Sequence, residues 1–418
     1  MQPVTPRGFR DVLPQEAAER GALARSLADV FESWDYGLVE TPVVEVHSVL
    51  EAGAGPGFKG TAFRLFDSDG RLLALRPEMT VPIARLAAAR LRDEPLPLRL
   101  RYTADVFREH ASLRGQSRQF TQAGVELVGA AGPAADAEVI TILAEAIDAT
   151  GLPRYTIALG TVAVLRALLD ASGADESWRA AVLTAAHDRN LVEIERLAER
   201  AGIDPEVAAA IRTVPRIQGG REAIDECRAV AATCGCAGVL DDLAEVWTLL
   251  ESTGAAARVT VDFGTMRAFD YYTGVVFEVL APGLGLPVGG GGRYDAVLSA
   301  FGRPAPAAGF ALGIERLHIA CAEQDVRTAV GGCDAVVGGG DAVRVFAGAQ
   351  RMRAAGWRVR VAPGADGPAV LSEARAAGAH EALIAEGDDL VRIDRSGERA
   401  EPLGDPLPAP PARGGEAR

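Results

Sequence analysis

Arg118-Gln119-Phe120-Thr121-Gln122-Ala123-Gly124-Val125-Glu126 is the stretch whose reading decides the fold. Successive side chains of a strand point to opposite faces, so Phe120, Gln122, Gly124 and Glu126 share one face. That face is polar where a core face would be apolar. Buried polar groups need partners, and a charged small molecule would supply them. A solvent-facing sheet surface is the plainer alternative. Residues 98–109 read as a second strand, ending in Phe107-Arg108-Glu109-His110. The polar turn of residues 111–117 joins the two strands into a hairpin and sets Arg108 beside Gln122 and Glu126.

Three other segments gather unusual polar residues. Residues 72–76 read as a short strand entering Arg76-Pro77-Glu78-Met79-Thr80. Glu78 and Thr80, two residues apart at a strand end, point the same way and could hold an ammonium group; a surface loop would share this composition. Arg267-Ala268-Phe269-Asp270-Tyr271-Tyr272-Thr273-Gly274 places its adjacent tyrosines on opposite sides of a strand, one to pack and one to offer its hydroxyl. Gly289-Gly290-Gly291-Gly292-Arg293-Tyr294-Asp295 leads on to Gly309-Phe310-Ala311-Leu312-Gly313-Ile314-Glu315-Arg316. A run of glycines lets a backbone approach a ligand closely, and it also makes plain flexible turns. No Gly-x-Gly-x-x-Gly follows a strand here with an acidic residue downstream, so a dinucleotide-binding turn does not fit.

Around these segments the periodicity predicts an α+β chain. Residues 16–34 carry apolar positions at helical spacing after Pro14. Residues 36–46 read as a strand broken at Pro42, 80–92 as a helix, and 136–151 as a helix with Asp136 as N-cap and Gly151 as stop. From about 161 to 256 the pattern is almost wholly helical, an insertion between two parts of the core. Strand signals return at 258–263 and 274–281, followed by helices from Tyr294 and from Gly313. These parts make one domain, residues 1–330; after a glycine-rich boundary, residues 331–396 form a small α/β module running strand, helix, strand, helix, strand, strand. Residues 397–418 are rich in proline and glycine without periodicity, which predicts a disordered tail.

Composition narrows the function classes. Of 418 residues, 48% are hydrophobic and 24% charged, as in ordinary globular proteins. No stretch reaches the ~18 apolar residues a membrane helix needs, and the N-terminus lacks the apolar centre of a signal peptide. A cytoplasmic location is expected. The five cysteines, an odd number, argue against a disulfide framework. Cys234 and Cys236 lack a nearby His pair to complete a zinc pattern, so neither metal nor cofactor is expected. The net charge of −14 counts mildly against a large nucleic-acid surface.

In chain order, the segments resemble class II histidyl-tRNA synthetases over residues 1 to about 320. Pro6, Gly8, Asp11, Pro14, Gly37 and Thr41-Pro42 resemble the first motif of that family, Phe107-Arg108-Glu109 with residues 118–126 the second, and residues 309–317 the third. Residues 267–274 and 289–295 are similar to its two histidine signatures. The resemblance implies a class II antiparallel sheet core with flanking helices. It assigns Glu78 and Thr80 to the amino group of histidine, and Gln122 and Glu126 to the same pocket. Tyr272 and Tyr294 come near the imidazole, with Tyr271 beside them. Arg108 and Arg316 match the arginines that bind ATP phosphates, and Arg267 matches the one that steadies carboxylate and α-phosphate, where a fixed cation offsets developing charge.

Three positions depart from a synthetase. His110 stands where an adenine-contacting glutamate is usual, Gln116 follows Gly115 in place of an arginine, and Ala268 replaces a glycine. The C-terminal module is also short and balanced in charge, so tRNA binding is not expected. An altered ATP site and a reduced C-terminal module resemble the regulatory subunits of ATP phosphoribosyltransferase, as do residues 124–129 and 136–140. That resemblance implies a non-catalytic subunit paired with a short-form catalytic subunit in a hetero-oligomer. It further implies a first step of histidine biosynthesis under feedback by histidine, and a homodimer through the synthetase-like core. The alternatives are an active histidyl-tRNA synthetase and a stand-alone histidine-binding protein.

Overall fold

The computed structural model describes residues 4–54, 62–109, 117–200, 202–265, 271–326, 332–404 and 406–411. The quoted stretch is β6 (Gln119–Val128), antiparallel to β5 (Leu98–Phe107) with Ala104 opposite Gln122 and Leu100 opposite Glu126. Around this hairpin a nine-stranded sheet assembles from β1 (Gly37–Leu38), β7 (Thr156–Thr161), β8 (Gln218–Gly219), β9 (Val259–Asp262), β10 (Val275–Leu280), β11 (Gly289–Arg293) and β12 (Ala307–Gly313). The order is β1-β5-β6-β12-β11-β10-β7-β9-β8. Neighbours run antiparallel except β1 with β5 and β7 with β9.

One side of the sheet is covered by helices whose sequences dictate that placement. α1 (Pro14–Ser33) starts on Pro14, where a missing N–H costs nothing, and buries Leu23, Leu27 and Phe31 at helical spacing. α4 (Pro133–Asp148) is apolar nearly all round because it packs against β6 and β12, α1 and α10 (Asp241–Thr253). Its Val139, Ile140, Ile142, Leu143 and Ile147 are fully buried, each worth about 1.5–3 kcal/mol against exposure. α11 (Ile314–Glu323) packs beside α1.

β7 and β9 are parallel neighbours, and parallel neighbours need a long crossover. The helical stretch supplies it: α5 (Val162–Ala171), α6 (Glu176–His187), α7 (Leu191–Arg200), α8 (Pro205–Thr213) and α9 (Arg221–Ala232) precede α10. A separate three-stranded sheet, β2 (Val44–Val46), β4 (Leu72–Leu75) and β3 (Arg64–Phe66), lies with α2 (His47–Ala54) and α3 (Thr80–Ala89).

The chain divides into compact units Met1–Arg327 and Thr328–Arg418. The second runs β13 (Ala335–Gly339), α12 (Ala342–Ala354), β14 (Val359–Pro363), α13 (Gly367–Ala377), β15 (Glu381–Glu386), β16 (Asp389–Ile393) and β17 (Arg399–Pro402), with sheet order β14-β13-β15-β16-β17.

Several expectations are corrected. The disordered tail from residue 397 instead opens with β17, which pairs with β16, and Leu403 is buried in the core of that unit. Asp136 is not an N-cap: α4 starts three residues earlier behind Gly132, and Asp136 turns inward to Arg293. No α-helix starts at Tyr294, whose N–H donates to Ala307 O; only a 3-10 turn, Val297–Phe301, follows. The glycine run is neither a turn nor a loop but β11, in the middle of the sheet.

Candidate functional site

The polar face of β6 opens on a pocket that Gln122 lines with Glu78, Thr80, Arg108, Tyr272, Tyr294 and Arg316. Its empty volume is about 630 Å3, the open mouth included.

Register makes the room. Val276 of β10, Gly292 of β11, Gly309 of β12 and Glu126 of β6 sit directly across from one another on successive strands. Directly opposed residues share a face. A Cβ on Gly309 would overlap Glu126 Oε2, and a Cβ on Gly292 would come within 2.8 Å of the Tyr272 ring. The two glycines clear the sheet surface so that one carboxylate and one aromatic ring can lie flat on it. That space is the physical reason for the glycine-rich strand.

Glu126 is the centre of the polar network. Thr80 Oγ1 donates to Glu126 Oε1 at 2.9 Å, and the Tyr294 hydroxyl donates to Oε2. Burial pushes the Glu126 carboxyl up to about 8, hydrogen bonds from Tyr294 and Thr80 pull against it, and the charge of Glu78 adds to the rise. Burial and the Glu126 carboxylate push the Tyr294 hydroxyl up as well.

Glu78 has a second task in the structure. Its Oε2 accepts from Thr80 N at 2.6 Å and its Oε1 from Val81 N at 3.0 Å, so it caps the start of α3. A carboxylate there meets the exposed N–H groups and the positive end of the helix dipole. Burial still raises its carboxyl above the ordinary range. Glu78 is thus pinned by backbone, and the open side of each oxygen is what a ligand would meet. Gln122 is 8% exposed, and its Oε1 has no hydrogen-bond partner within the protein. An orphaned buried acceptor costs about 1–3 kcal/mol, which a donor on a ligand would recover.

The tyrosines are not on opposite sides of a strand. They lie in the turn before β10, and both line the pocket, with ring centroids 4.9 Å apart and Tyr271 5.9 Å from Tyr294. Arg108 Nε donates to Pro77 O at 2.9 Å while the guanidinium sits 5.1 Å over Phe120. Arg316 Nη1 donates to Pro287 O at 2.8 Å. Both arginines reach the pocket wall. Arg267 and His110 lie outside the described residues, as do Gly115, Gln116 and Ala268.

The arrangement can hold a small ligand with cationic or donor groups on the Glu78–Gln122–Glu126 side, aromatic rings beside it and guanidinium groups at the rim. Val288 and the backbone of Gly289, Gly290 and Gly291 line it too, and nothing in the sequence marks Val288. The Arg293–Asp136 pair was also missed as a pair. It is buried, 2.7 Å apart, and joined by Asp295 at 3.1 Å from Arg293. Burial raises the Asp136 carboxyl to about 6 against the opposing pull of Arg293. It ties the end of β11 to the first turn of α4. Among the described residues no group of His, Cys, Asp and Glu is placed to hold a metal ion, and no helix is long and apolar enough to cross a membrane.

Residues 8–317 match the family described as histidyl-tRNA synthetase. A protein of Moorella thermoacetica named ATP phosphoribosyltransferase regulatory subunit is 43% identical over 327 residues, 78% of this chain and 84% of that one. A protein of the same name from Symbiobacterium thermophilum is 43% identical over 337 residues, 79% and 83% of the two chains. A solved Bacillus halodurans structure described as an ATP phosphoribosyltransferase regulatory subunit/histidyl-tRNA synthetase superposes with TM-score 0.81 at 31% identity, over 92% of this chain and 98% of that one. A histidyl-tRNA synthetase from a Nostoc species gives TM-score 0.80 at 23% identity over 96% of each chain, a likeness of fold.

Proposed function

The chain belongs to the family of ATP phosphoribosyltransferase regulatory subunits, on a histidyl-tRNA synthetase fold, and from that premise we propose that its sheet pocket is a histidine sensor acting on a catalytic partner. It is the regulatory subunit of ATP phosphoribosyltransferase, in histidine biosynthesis, and not the catalyst. The partner is a short-form catalytic subunit that condenses ATP with phosphoribosyl pyrophosphate, and the location is cytoplasmic. The observation that carries the sensor reading is the polar set Glu78, Thr80, Gln122, Glu126 and Tyr294 at the pocket, in which the buried Gln122 Oε1 has no hydrogen-bond partner within the protein. Histidine offers an ammonium group and ring N–H donors to that wall and a carboxylate to the arginine side.

Regulation follows from linkage. Histidine can lower activity only by binding one state of the complex better than another. At the pocket Thr80, at the start of α3, donates to Glu126 of β6, so a ligand filling it stiffens the junction of these two elements. Self-association accompanies this reading. Leu38, Val43, Val44 and Phe66 are 54%, 42%, 37% and 75% exposed, an apolar expenditure that a second copy would cover. tRNA has no part in the reading.

The test is phosphoribosyl-ATP formation by a short-form catalytic subunit alone, with this chain, and with this chain plus histidine. Activity that appears in the mixture, falls with histidine, and keeps most of its strength against histidine in Glu126→Ala is the expected result. Activity without this chain, or inhibition unchanged in Glu126→Ala, would overturn respectively the regulatory role and the pocket as sensor.

A further inference from the structure

A second cavity lies in the helical stretch, away from the sheet pocket, between the end of α6, the start of α7 and the turn after β9. Its empty volume is about 830 Å3, the open side included. Leu191, Ile194, Pro215 and Phe263 give it an apolar floor, and Arg189 and Asp262 stand on its wall.

The charges on that wall are adjacent and of opposite sign. Thr265 Oγ1 donates to Asp262 Oδ2 at 3.0 Å and accepts from Arg189 Nη2 at 3.4 Å, so one hydroxyl bridges the carboxylate and the guanidinium. Asp262 Oδ1 accepts from Gly264 N at 2.8 Å, which fixes the carboxylate. Arg189 also meets Glu278 at 3.2 Å, while Arg216, also in the lining, meets Glu195 at 3.4 Å. Both arginines of the lining are thus offset by carboxylates, and Arg189 and Asp262 set one cation and one anion side by side. A simple anion would face Asp262, and a simple cation would face Arg189.

Arg189 holds this position at a backbone cost. Its φ is +51°, and the other described non-glycine residues with positive φ are Asp35 and Asp325. Arg189 closes the C-terminus of α6 in that conformation: its N–H donates to Ala186 O at 3.0 Å and the Asn190 N–H to Ala185 O at 2.8 Å, a cap that glycine usually fills. The strain amounts to about 1–2 kcal/mol.

We propose that this cavity is a second ligand site, for an α-amino acid with an apolar side chain. Arg189 takes the carboxylate, Asp262 takes the ammonium group, and Leu191, Ile194 and Phe263 take the side chain. An α-amino acid carries its two charged groups on one carbon, and here one carboxylate and one guanidinium are held close together through a single bridging hydroxyl. The site is independent of the histidine reading of the sheet pocket and gives the subunit a second effector.

The test is calorimetric titration of the full chain with L-phenylalanine, 3-phenylpropanoate and phenethylamine. The three probes share the ring and differ in which charge they keep. L-phenylalanine is expected to bind, with each of the other two weaker by about tenfold or more. Arg189→Gly then separates binding from folding, because glycine adopts φ +51° without strain. Its melting temperature should stay level or rise while the affinity for L-phenylalanine falls by about tenfold. The proposal is overturned by absence of binding, by a single-charge probe matching L-phenylalanine, or by an Arg189→Gly variant that binds as well as the parent.

Discussion

Glu126 shows how far one side chain can be understood from its surroundings. Its carboxyl titrates near 8 in the folded chain, against 4.5 for the unperturbed group, chiefly because it is buried. The folded-state value is raised, so folding favours the protonated form. That stabilisation is complete below 4.5 and is lost as pH rises through about 8. Across this window the ligand-free protein should lose up to about 1.4 kcal/mol of stability per pH unit through this group. Glu126→Gln should flatten that slope in urea unfolding, and an unchanged slope would mean that Glu126 is already ionised. The same proton couples to ligand binding. An ammonium group beside Glu126 favours the ionised form, so one proton leaves on binding and histidine affinity should rise between about pH 7 and 8. Calorimetry in buffers of different ionisation heat counts that proton, and Glu126→Gln should release none. Glu126 and Gln122 were readable in advance because a polar strand face is anomalous. The cap made by Glu78 was not, since the spacing of Glu78 and Thr80 says nothing about which backbone N–H groups they meet.

At the scale of elements, the glycine strand carries the argument. β11 runs through the centre of the sheet with no side chain at four successive positions, a pattern that normally weakens a strand. It survives because β10 and β12 pair with it on both sides and because Tyr272 lies against Gly292, as Glu126 lies against Gly309 of the neighbouring β12. Gly309→Ala tests this directly. The added methyl would displace the Glu126 carboxyl, costing about 1–3 kcal/mol of stability. Histidine binding should fall more steeply than stability; a variant that is less stable yet binds normally would remove Glu126 from the site. The Arg293–Asp136 pair belongs to this scale as well. Asp136→Ala leaves a buried guanidinium with only Asp295 as counter-ion, and should cost about 3–5 kcal/mol in chemical denaturation. Helical spacing marked Asp136 as a cap; only the approach of β11 to α4 turns it into an ion-pair partner.

For the molecule as a whole, every described pocket residue falls within the unit Met1–Arg327, and the second unit contributes none. A chain ended after residue 326 should therefore bind histidine within about twofold of the full chain, and a larger loss would give the second unit a part in the site. By itself the sequence determined the class of the fold, the order of the segments that build the pocket and most of its polar residues. These rest on local signals: alternation along β6, helical spacing in α1 and the order of motifs. It left undecided what depends on which strands become neighbours. The glycine run read either as a backbone close to a ligand or as a flexible turn until β10 and β12 closed on it, and the adjacent tyrosines read as facing apart until the turn before β10 brought both to the pocket. Residues 399–402 carried no strand periodicity, and β16 made them a strand by offering an unpaired edge. Periodicity reports the conformation a segment prefers alone, whereas register and burial are set by contacts between segments far apart in the chain, so only the tertiary structure could place Gly292, Gly309 and Glu126 in one row.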